Sequence, residues 1–144
     1  MSQAAPTPRQ KTLRIVLVDD EKYMLQLLET YLREWFDDLD LRQFQNGDAA
    51  WRELAQAAPD LLITDWQHPG LDGGELLRKL AEQRAQIPVL MITAYDIDCL
   101  QEFAKSGMKI VFLQKPFGVA QFWKTLDGLV GPCDHPPRLP KFLK

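Results

Sequence analysis

Short, unbroken runs of apolar and β-branched residues alternate along this chain with longer segments in which apolar residues recur every three or four positions. Runs of four to six residues have the length and composition of strands that are buried on both faces of a parallel sheet. The longer segments have the period of amphipathic helices. Such alternation predicts an α/β fold, built as a doubly wound five-stranded parallel sheet. The predicted strands are 13–18, 39–44, 61–64, 89–92 and 110–113.

Five helices are predicted between and after these strands. The second covers 48–57 and the third covers 73–83, where Asp72 and Glu75 have the spacing of a capping box. Gly107 ends the shorter fourth helix. The apolar residues that define the first, fourth and fifth helices are Met24, Leu27, Leu28, Tyr31, Leu32 and Trp35; Leu100, Phe103 and Ala104; and Phe117, Phe122, Trp123, Leu126 and Leu129.

The composition limits the environment and the partners of the protein. Seventeen Lys and Arg residues against twenty Asp and Glu residues leave a net charge of -3, which is too balanced to indicate a nucleic-acid partner. No run approaches the ~18 apolar residues of a membrane span, and residues 1–10 lack the apolar core of a signal peptide. Cys99 and Cys133 have the spacing of neither a disulfide scaffold nor a zinc site. A soluble cytoplasmic protein without a nucleic-acid or membrane partner is therefore expected.

Two Pro-rich segments without apolar periodicity flank the predicted sheet. We expect 1–11 and 132–144 to be mobile tails around one folded domain at 12–131. No output domain is expected in the C-terminal segment. The sequence leaves open whether the domain stands alone or is part of a longer protein.

Ionisable and hydroxyl side chains follow four of the predicted strands. All strands of an open parallel sheet end at the same edge, where ligands bind, so we expect these residues to lie close together. Crowded carboxylates raise one another's pKa and destabilise the fold unless a cation neutralises them. Mg²⁺ fits best, because it prefers oxygen ligands and typically takes one or two carboxylates plus a phosphate oxygen. The residues are Asp19, Asp20 and Glu21 after the first strand, Asp65 after the third, Thr93 after the fourth and Lys115 after the fifth.

Within this group, Asp65 is the candidate nucleophile. It directly follows an apolar run and precedes a loop rich in Pro and Gly. An Asp at the end of a strand often only opens a turn, because its side chain hydrogen-bonds nearby backbone amides. A carboxylate beside a metal can also attack phosphorus and form an aspartyl phosphate. In that case Lys115 would share the charge of the phosphoryl group, and the Thr93 hydroxyl would donate to one of its oxygens.

Four motifs in the chain resemble, in order and spacing, the receiver domain of two-component response regulators. The resemblance implies the flavodoxin-like strand order 2-1-3-4-5. It also implies a phosphorylation-controlled binding module that catalyses its own phosphotransfer and dephosphorylation. The phosphoryl donor would be a sensor histidine kinase or a histidine phosphotransfer protein. The motifs are VDDE at 18–21, DLLITD at 60–65 with PGLDG at 69–73, MITA at 91–94, and KPF at 115–117.

The resemblance also implies a role for each residue at the sheet edge. Asp65 would accept the phosphoryl group, while Thr93 and Lys115 would bind it. The implied Mg²⁺ site consists of Asp19, Asp20, Asp65 and the backbone carbonyl of Gln67, with Asp19 acting largely through water.

Signal output is implied to pass through one face of the domain. Phe112, near the end of the fifth predicted strand, is the implied switch residue, able to turn inward when Thr93 moves toward the phosphate. The face formed by the fourth predicted helix, the fifth strand and the fifth helix would contact an unidentified output protein. A cis peptide bond between Lys115 and Pro116 is also implied.

Two alternative functions remain open. A phosphohydrolase of the haloacid dehalogenase type also uses an Asp nucleophile with Thr, Lys and magnesium. That family carries an Asp-x-Asp motif directly after its first strand. Here Asp19 and Asp20 are adjacent, and Asp65 follows the third strand. A receiver-like interaction module that signals without phosphorylation is disfavoured, because all the implied site residues are present.

Overall fold

Five strands alternate with four helices in the computed structural model, which describes residues 12–67, 69–83, 85–94 and 107–130. Almost all of the predicted fourth helix, the two Pro-rich tails and both cysteines lie outside the described residues. The strands are β1 (Leu13–Val18), β2 (Leu39–Phe44), β3 (Leu61–Asp65), β4 (Val89–Thr93) and β5 (Ile110–Gln114), and the helices are α1 (Lys22–Trp35), α2 (Gly47–Gln56), α3 (Gly73–Glu82) and α4 (Val119–Val130). Helix α4 therefore corresponds to the fifth predicted helix.

The strands form a single parallel sheet in the order β2-β1-β3-β4-β5. This order confirms the predicted fold class. The register places Val18 opposite Thr64 and Thr93 opposite Gln114. Strands β3, β4 and β5 each extend one residue further than the apolar runs predicted. The residues that end β1, β3, β4 and β5 consequently meet at one edge of the sheet.

Side chains of each central strand alternate between two apolar layers. In β1, Ile15 and Leu17 pack with α1 and α4, whereas Val16 and Val18 pack with α2 and α3. This alternation is the two-residue period of a strand. Because helices cover both faces, the central strands contain continuous apolar runs rather than alternating apolar and polar residues.

Helix α1 turns a slightly different face to the sheet than the predicted apolar stripe. The predicted Leu27 is only half-buried, and Met24 and Tyr31 pack at the margin of the core. An apolar stripe on a helix is at least ~100° wide, so its period does not decide which residue lies at its centre. Contact with the sheet decides this instead. The buried positions of α1 are Leu25, Leu28, Leu32 and Trp35.

An aromatic cluster attaches α1 to the segment that follows β5. The ring centroid of Trp35 lies 5.0 Å from that of Trp123 and 5.6 Å from that of Phe122. The Phe122 ring lies 5.8 Å from Phe117, which is two residues beyond Lys115. Aromatic pairs of this kind contribute about 0.5–1.5 kcal/mol each beyond the burial of their surface. The segment that carries Lys115 is thus held against the core.

Side-chain caps mark the beginnings of two helices. The backbone N–H of Asp48 donates to Asn46 Oδ1 at 2.7 Å at the start of α2. Asp72 and Glu75 form the predicted capping box at the start of α3, each accepting a hydrogen bond from the backbone N–H of the other. None of the four described helices is both long enough and apolar enough to cross a membrane.

The loop between β3 and α3 contains a backbone conformation that favours glycine. Gly70 has a φ angle of +76°. A Cβ added there would lie 2.5 Å from Asp48 Oδ2 and 2.8 Å from Asn46 Oδ1. The preceding carbonyl of Pro69 accepts a hydrogen bond from the Gly47 N–H at 2.9 Å. The loop after Asp65 is therefore packed closely against the start of α2.

We predict that Gly70→Ala lowers the free energy of unfolding by about 1–2 kcal/mol, because an L-residue is strained at this positive φ. Gly128→Ala is the matched control, since an added Cβ on that helical residue meets no atom within 4 Å. The control should raise stability by about 0.5–1 kcal/mol. Urea unfolding of the three proteins measures both effects. Equal shifts in the two variants would contradict the assignment of strain to the loop.

Candidate functional site

Three consecutive acidic residues form the turn between β1 and α1. Asp19 is only 2% exposed, whereas Asp20 and Glu21 are exposed. One carboxylate oxygen of each residue lies within 4.8 Å of those of the other two. The backbone N–H of Glu21 donates to Asp19 Oδ1 at 2.9 Å, which fixes the shape of the turn. Glu21 thus belongs to this acidic group, although the predicted metal site did not include it.

Lys115 joins the carboxylates that follow two different strands. Its Nζ atom lies 2.9 Å from Asp65 Oδ2 and 3.6 Å from Asp19 Oδ2. The backbone N–H of Lys115 donates to the carbonyl of Thr93 at 2.7 Å, which ties the segment after β5 to the end of β4. The peptide bond to Pro116 is cis, which confirms the form implied by the resemblance. One ammonium group therefore contacts both predicted acidic positions.

Burial and charge shift the pKa values of this group. Burial raises the pKa of Asp19 to about 6, against the opposing effects of the Glu21 N–H and of Lys115. Burial alone would lower the pKa of Lys115, but its hydrogen bond to Asp65 and the charge of Asp19 outweigh burial and raise that pKa. A further cation beside Asp19 would favour its ionised form.

Thr93 and Phe112 lie on neighbouring strands at this end of the sheet. Thr93 ends β4 and is 4% exposed, and Phe112 in β5 is half-buried against the α2 and α3 layer. The register of β4 and β5 pairs Met91 with Phe112 and Thr93 with Gln114. Side chains two residues apart in a strand share a face of the sheet. Thr93 and Phe112 therefore share a face, one strand apart.

The segment after Asp65 is fixed by the beginning of α3. The Gln67 N–H donates to Asp65 Oδ1 at 3.3 Å, and the Gly73 N–H donates to the Trp66 carbonyl at 2.7 Å. A Cβ added at Gly73 would lie 2.6 Å from the Asp65 carbonyl oxygen, and one added at Gly74 would lie 2.9 Å from the Trp66 ring. The two glycines let α3 begin directly against the segment that carries Asp65. Sequence reasoning missed Gly74, for which the only signal was the Gly73-Gly74 pair.

An open cavity of about 400 Å³ borders the acidic turn. Asp20 and Gln67 were predicted as metal ligands, whereas the other lining residues were not predicted as part of a site. The loop after β3 and the acidic turn after β1 border one cavity because β1 and β3 are neighbours in the sheet. The cavity is lined by Asp20, Gln67, Pro69, Gly70 and Asp72.

The donor chemistry at this edge fits a hard cation. The acidic turn supplies carboxylate oxygens from Asp19, Asp20 and Glu21, and the Asp65 carboxylate contacts the same ammonium group as Asp19. Mg²⁺ prefers such oxygen ligands and keeps several of its waters, which the open cavity has room for. The residues present therefore fit a magnesium ion with a partly hydrated shell.

Comparison with known proteins identifies the family. The family model of the response regulator receiver domain matches residues 15–127. The match covers all five strands from Ile15 onward and every residue of the site described above.

Individual relatives agree with this match. The C4-dicarboxylate transport transcriptional regulatory protein DctD of Pseudomonas aeruginosa is 36% identical over 119 residues, which are 81% of this chain and 24% of that protein. Chemotaxis protein CheY-3 of Vibrio cholerae is 32% identical over 123 residues, which are 81% of this chain and 91% of that protein. The chain spans about a quarter to a half of the length of several curated relatives, DctD among them.

Solved structures show the same architecture. The receiver domain of the Francisella response regulator 1452 has a TM-score of 0.71 and 28% sequence identity to this chain. The superposition covers 82% of this chain and 96% of that domain. The chain belongs to the response regulator receiver domain family.

Proposed function

We propose that Asp65 accepts a phosphoryl group from a phosphohistidine of a sensor histidine kinase or a histidine phosphotransfer protein. The observation that carries this proposal is the Lys115 ammonium group, which contacts Asp65 and Asp19 at one sheet edge beside the acidic turn. The Asp65 side chain is 12% exposed. A carboxylate beside a fixed cation and oxygen donors for a metal is suited to phosphoryl transfer.

The proposed Mg²⁺ site uses residues from both sides of this edge. Receiver domains generally bind Mg²⁺ in their acidic pocket, and the donor set of this chain fits that ion. Bound Mg²⁺ would neutralise charge on the phosphoryl oxygens as the group is transferred. The proposed ligands are Asp20, Asp65 and the backbone carbonyl of Gln67, with Asp19 acting largely through water.

The proposed transfer forms one bond and breaks one bond. An Asp65 carboxylate oxygen attacks phosphorus, and the bond between phosphorus and the donor imidazole nitrogen breaks, so the electron pair stays on that nitrogen. Lys115 donates to a phosphoryl oxygen and compensates its charge. The Thr93 hydroxyl donates to another phosphoryl oxygen. Hydrolysis of the aspartyl phosphate by water then returns the free carboxylate and inorganic phosphate.

We propose that the phosphorylation signal passes from Thr93 to Phe112, which lies on the edge strand β5. The shared face of these two residues supports this order, because movement of Thr93 toward the phosphoryl group would leave space on the Phe112 side. The output partner would then contact the face formed by the fourth predicted helix, β5 and α4.

Family membership argues against the phosphohydrolase alternative, whereas labelling at Asp65 separates the leading function from a phosphorylation-independent receiver.

We predict that Asp65→Asn abolishes stable phosphorylation and leaves the fold intact, because Asn keeps the shape of Asp and relieves carboxylate repulsion. The measurement is the intact mass after incubation with acetyl phosphate and Mg²⁺, with thermal unfolding as the test of the fold. Wild type should gain the mass of one phosphoryl group. Equal labelling of a folded Asp65→Asn variant would refute Asp65 as the acceptor.

Asp20→Ala should weaken Mg²⁺ binding and phosphorylation together, because one carboxylate serves both. The matched control is Asp127→Ala, which makes the same charge change on the exposed side of α4. Mg²⁺ affinity by titration calorimetry and the rate of acetyl-phosphate labelling are measured for all three proteins. Labelling of wild type that does not depend on added Mg²⁺ would count against the proposed metal site.

Trp66 should report Mg²⁺ binding through its fluorescence. Its backbone adjoins Asp65, its ring lies against Gly74 and it is partly buried, so a divalent charge at the acidic turn changes the field around it. The saturable signal should vanish in Trp66→Phe and shift to higher Mg²⁺ concentration in Asp20→Ala. Because Trp35, Trp51 and Trp123 also emit, an undiminished response in Trp66→Phe would place the reporter elsewhere.

A further inference from the structure

Residues 44–48 connect β2 to α2 and include the last residue of β2 and the first two residues of α2. This connection contacts both loops of the proposed metal site. Toward the acidic turn, the Asp19 N–H donates to the Phe44 carbonyl at 3.0 Å, and Gln45 Nε2 donates to the Asp20 carbonyl at 3.2 Å. This connection begins at the end of β2, which is the edge strand next to β1. It thus supports the acidic turn from outside through one backbone and one side-chain hydrogen bond.

The same connection also holds the loop that follows Asp65. The Gly47 N–H donates to the Pro69 carbonyl at 2.9 Å, and the side chains of Asn46 and Asp48 lie against Gly70. Five consecutive residues therefore bridge the loops after β1 and β3. The separation of these two loops sets the distance between the two halves of the proposed site.

The carboxylates of Asp19 and Asp20 differ in how they are held. The Asp19 carboxylate is fixed by the Glu21 N–H and approached by Lys115. Within the described part of the chain, the Asp20 carboxylate has no hydrogen-bond partner, and the Gln45 carboxamide is the group that holds the Asp20 peptide. The direction of the Asp20 carboxylate therefore follows from its backbone, which Gln45 orients.

We propose that residues 44–48 brace the metal site and that Gln45 is a positioning residue for Asp20. This proposal rests on the proposed Mg²⁺ site. The Gln45 carboxamide holds the Asp20 carbonyl in the orientation that directs the neighbouring carboxylate toward the cation. Loss of that hydrogen bond lets the turn sample other orientations, so part of the Mg²⁺ binding free energy is spent on ordering Asp20.

The position of Gln45 allows its effect on the metal site to be measured without a change in the stability of the fold. Gln45 is exposed and lines an open groove between α1 and β2, so its replacement creates no cavity in the core. Gln43 lines the same groove, but its Nε2 donates to Glu29 Oε1 at 2.7 Å and not to the acidic turn. The chain thus offers two glutamines in one environment, of which one contacts the proposed site.

The test compares Gln45→Met with the matched control Gln43→Met. Met keeps the length of the side chain and removes the donor. Titration calorimetry with MgCl₂ on the full chain should show a roughly two- to tenfold weaker Mg²⁺ affinity for Gln45→Met. A loss of this size corresponds to the contribution of one exposed hydrogen bond. Gln43→Met should bind Mg²⁺ as wild type does. Gln45→Asn, whose shorter side chain cannot span to Asp20, should resemble Gln45→Met.

Labelling by acetyl phosphate separates positioning from a structural effect. Gln45→Met should need more Mg²⁺ for half-maximal labelling yet reach the wild-type rate at saturation, with an unchanged melting temperature. The proposal fails if Gln45→Met and wild type bind Mg²⁺ equally, if Gln43→Met loses as much affinity, or if Gln45→Asn binds as wild type does. Wild type that does not bind Mg²⁺ would overturn the proposed site itself, and the brace with it.

Discussion

The contact of one ammonium group with two carboxylates organises the functional edge of this receiver domain. Lys115 reaches Asp65 at 2.9 Å and Asp19 at 3.6 Å, and Asp19 is almost completely buried. Carboxylates buried this close to one another oppose folding unless a positive charge compensates them. The fold supplies that charge from the segment after β5, a strand that is separated from β1 by β3 and β4. In the proposed function, the same ammonium group would also bind the phosphoryl group.

Close packing holds three segments of the chain in place around the site. Gly73 lets α3 begin against the Asp65 carbonyl, and Gly70 lets the loop after Asp65 pass beside the cap of α2. The aromatic cluster around Phe122 holds the segment after β5 from the opposite face. Such close approach restricts the freedom of the carboxylates, which is the preorganisation that the proposed phosphoryl transfer would require.

Prediction from the sequence succeeded where local pattern and burial agree. The bounds of β1 and β2 match those predicted, and the capping box of Asp72 and Glu75 begins α3 as predicted. The buried face of α1 differs from the predicted apolar stripe, because helical period alone does not decide whether Leu25 or Leu27 faces the sheet. The acidic residues were found because strand ends of a parallel sheet meet at one edge, which is a rule of topology that needs no coordinates.

The sequence by itself determined the α/β class, the strand ends that carry Asp19, Asp20, Asp65, Thr93 and Lys115, and the family that these motifs indicate. Each of these follows from the period of apolar residues or from the order of residue types along the chain. The tertiary structure alone decided that Lys115 contacts Asp65 and Asp19 together and that Gln45 supports Asp20. These are contacts between segments that are distant in sequence or between side chains whose directions local pattern leaves open, and only packing of the helices against the sheet selects among those directions.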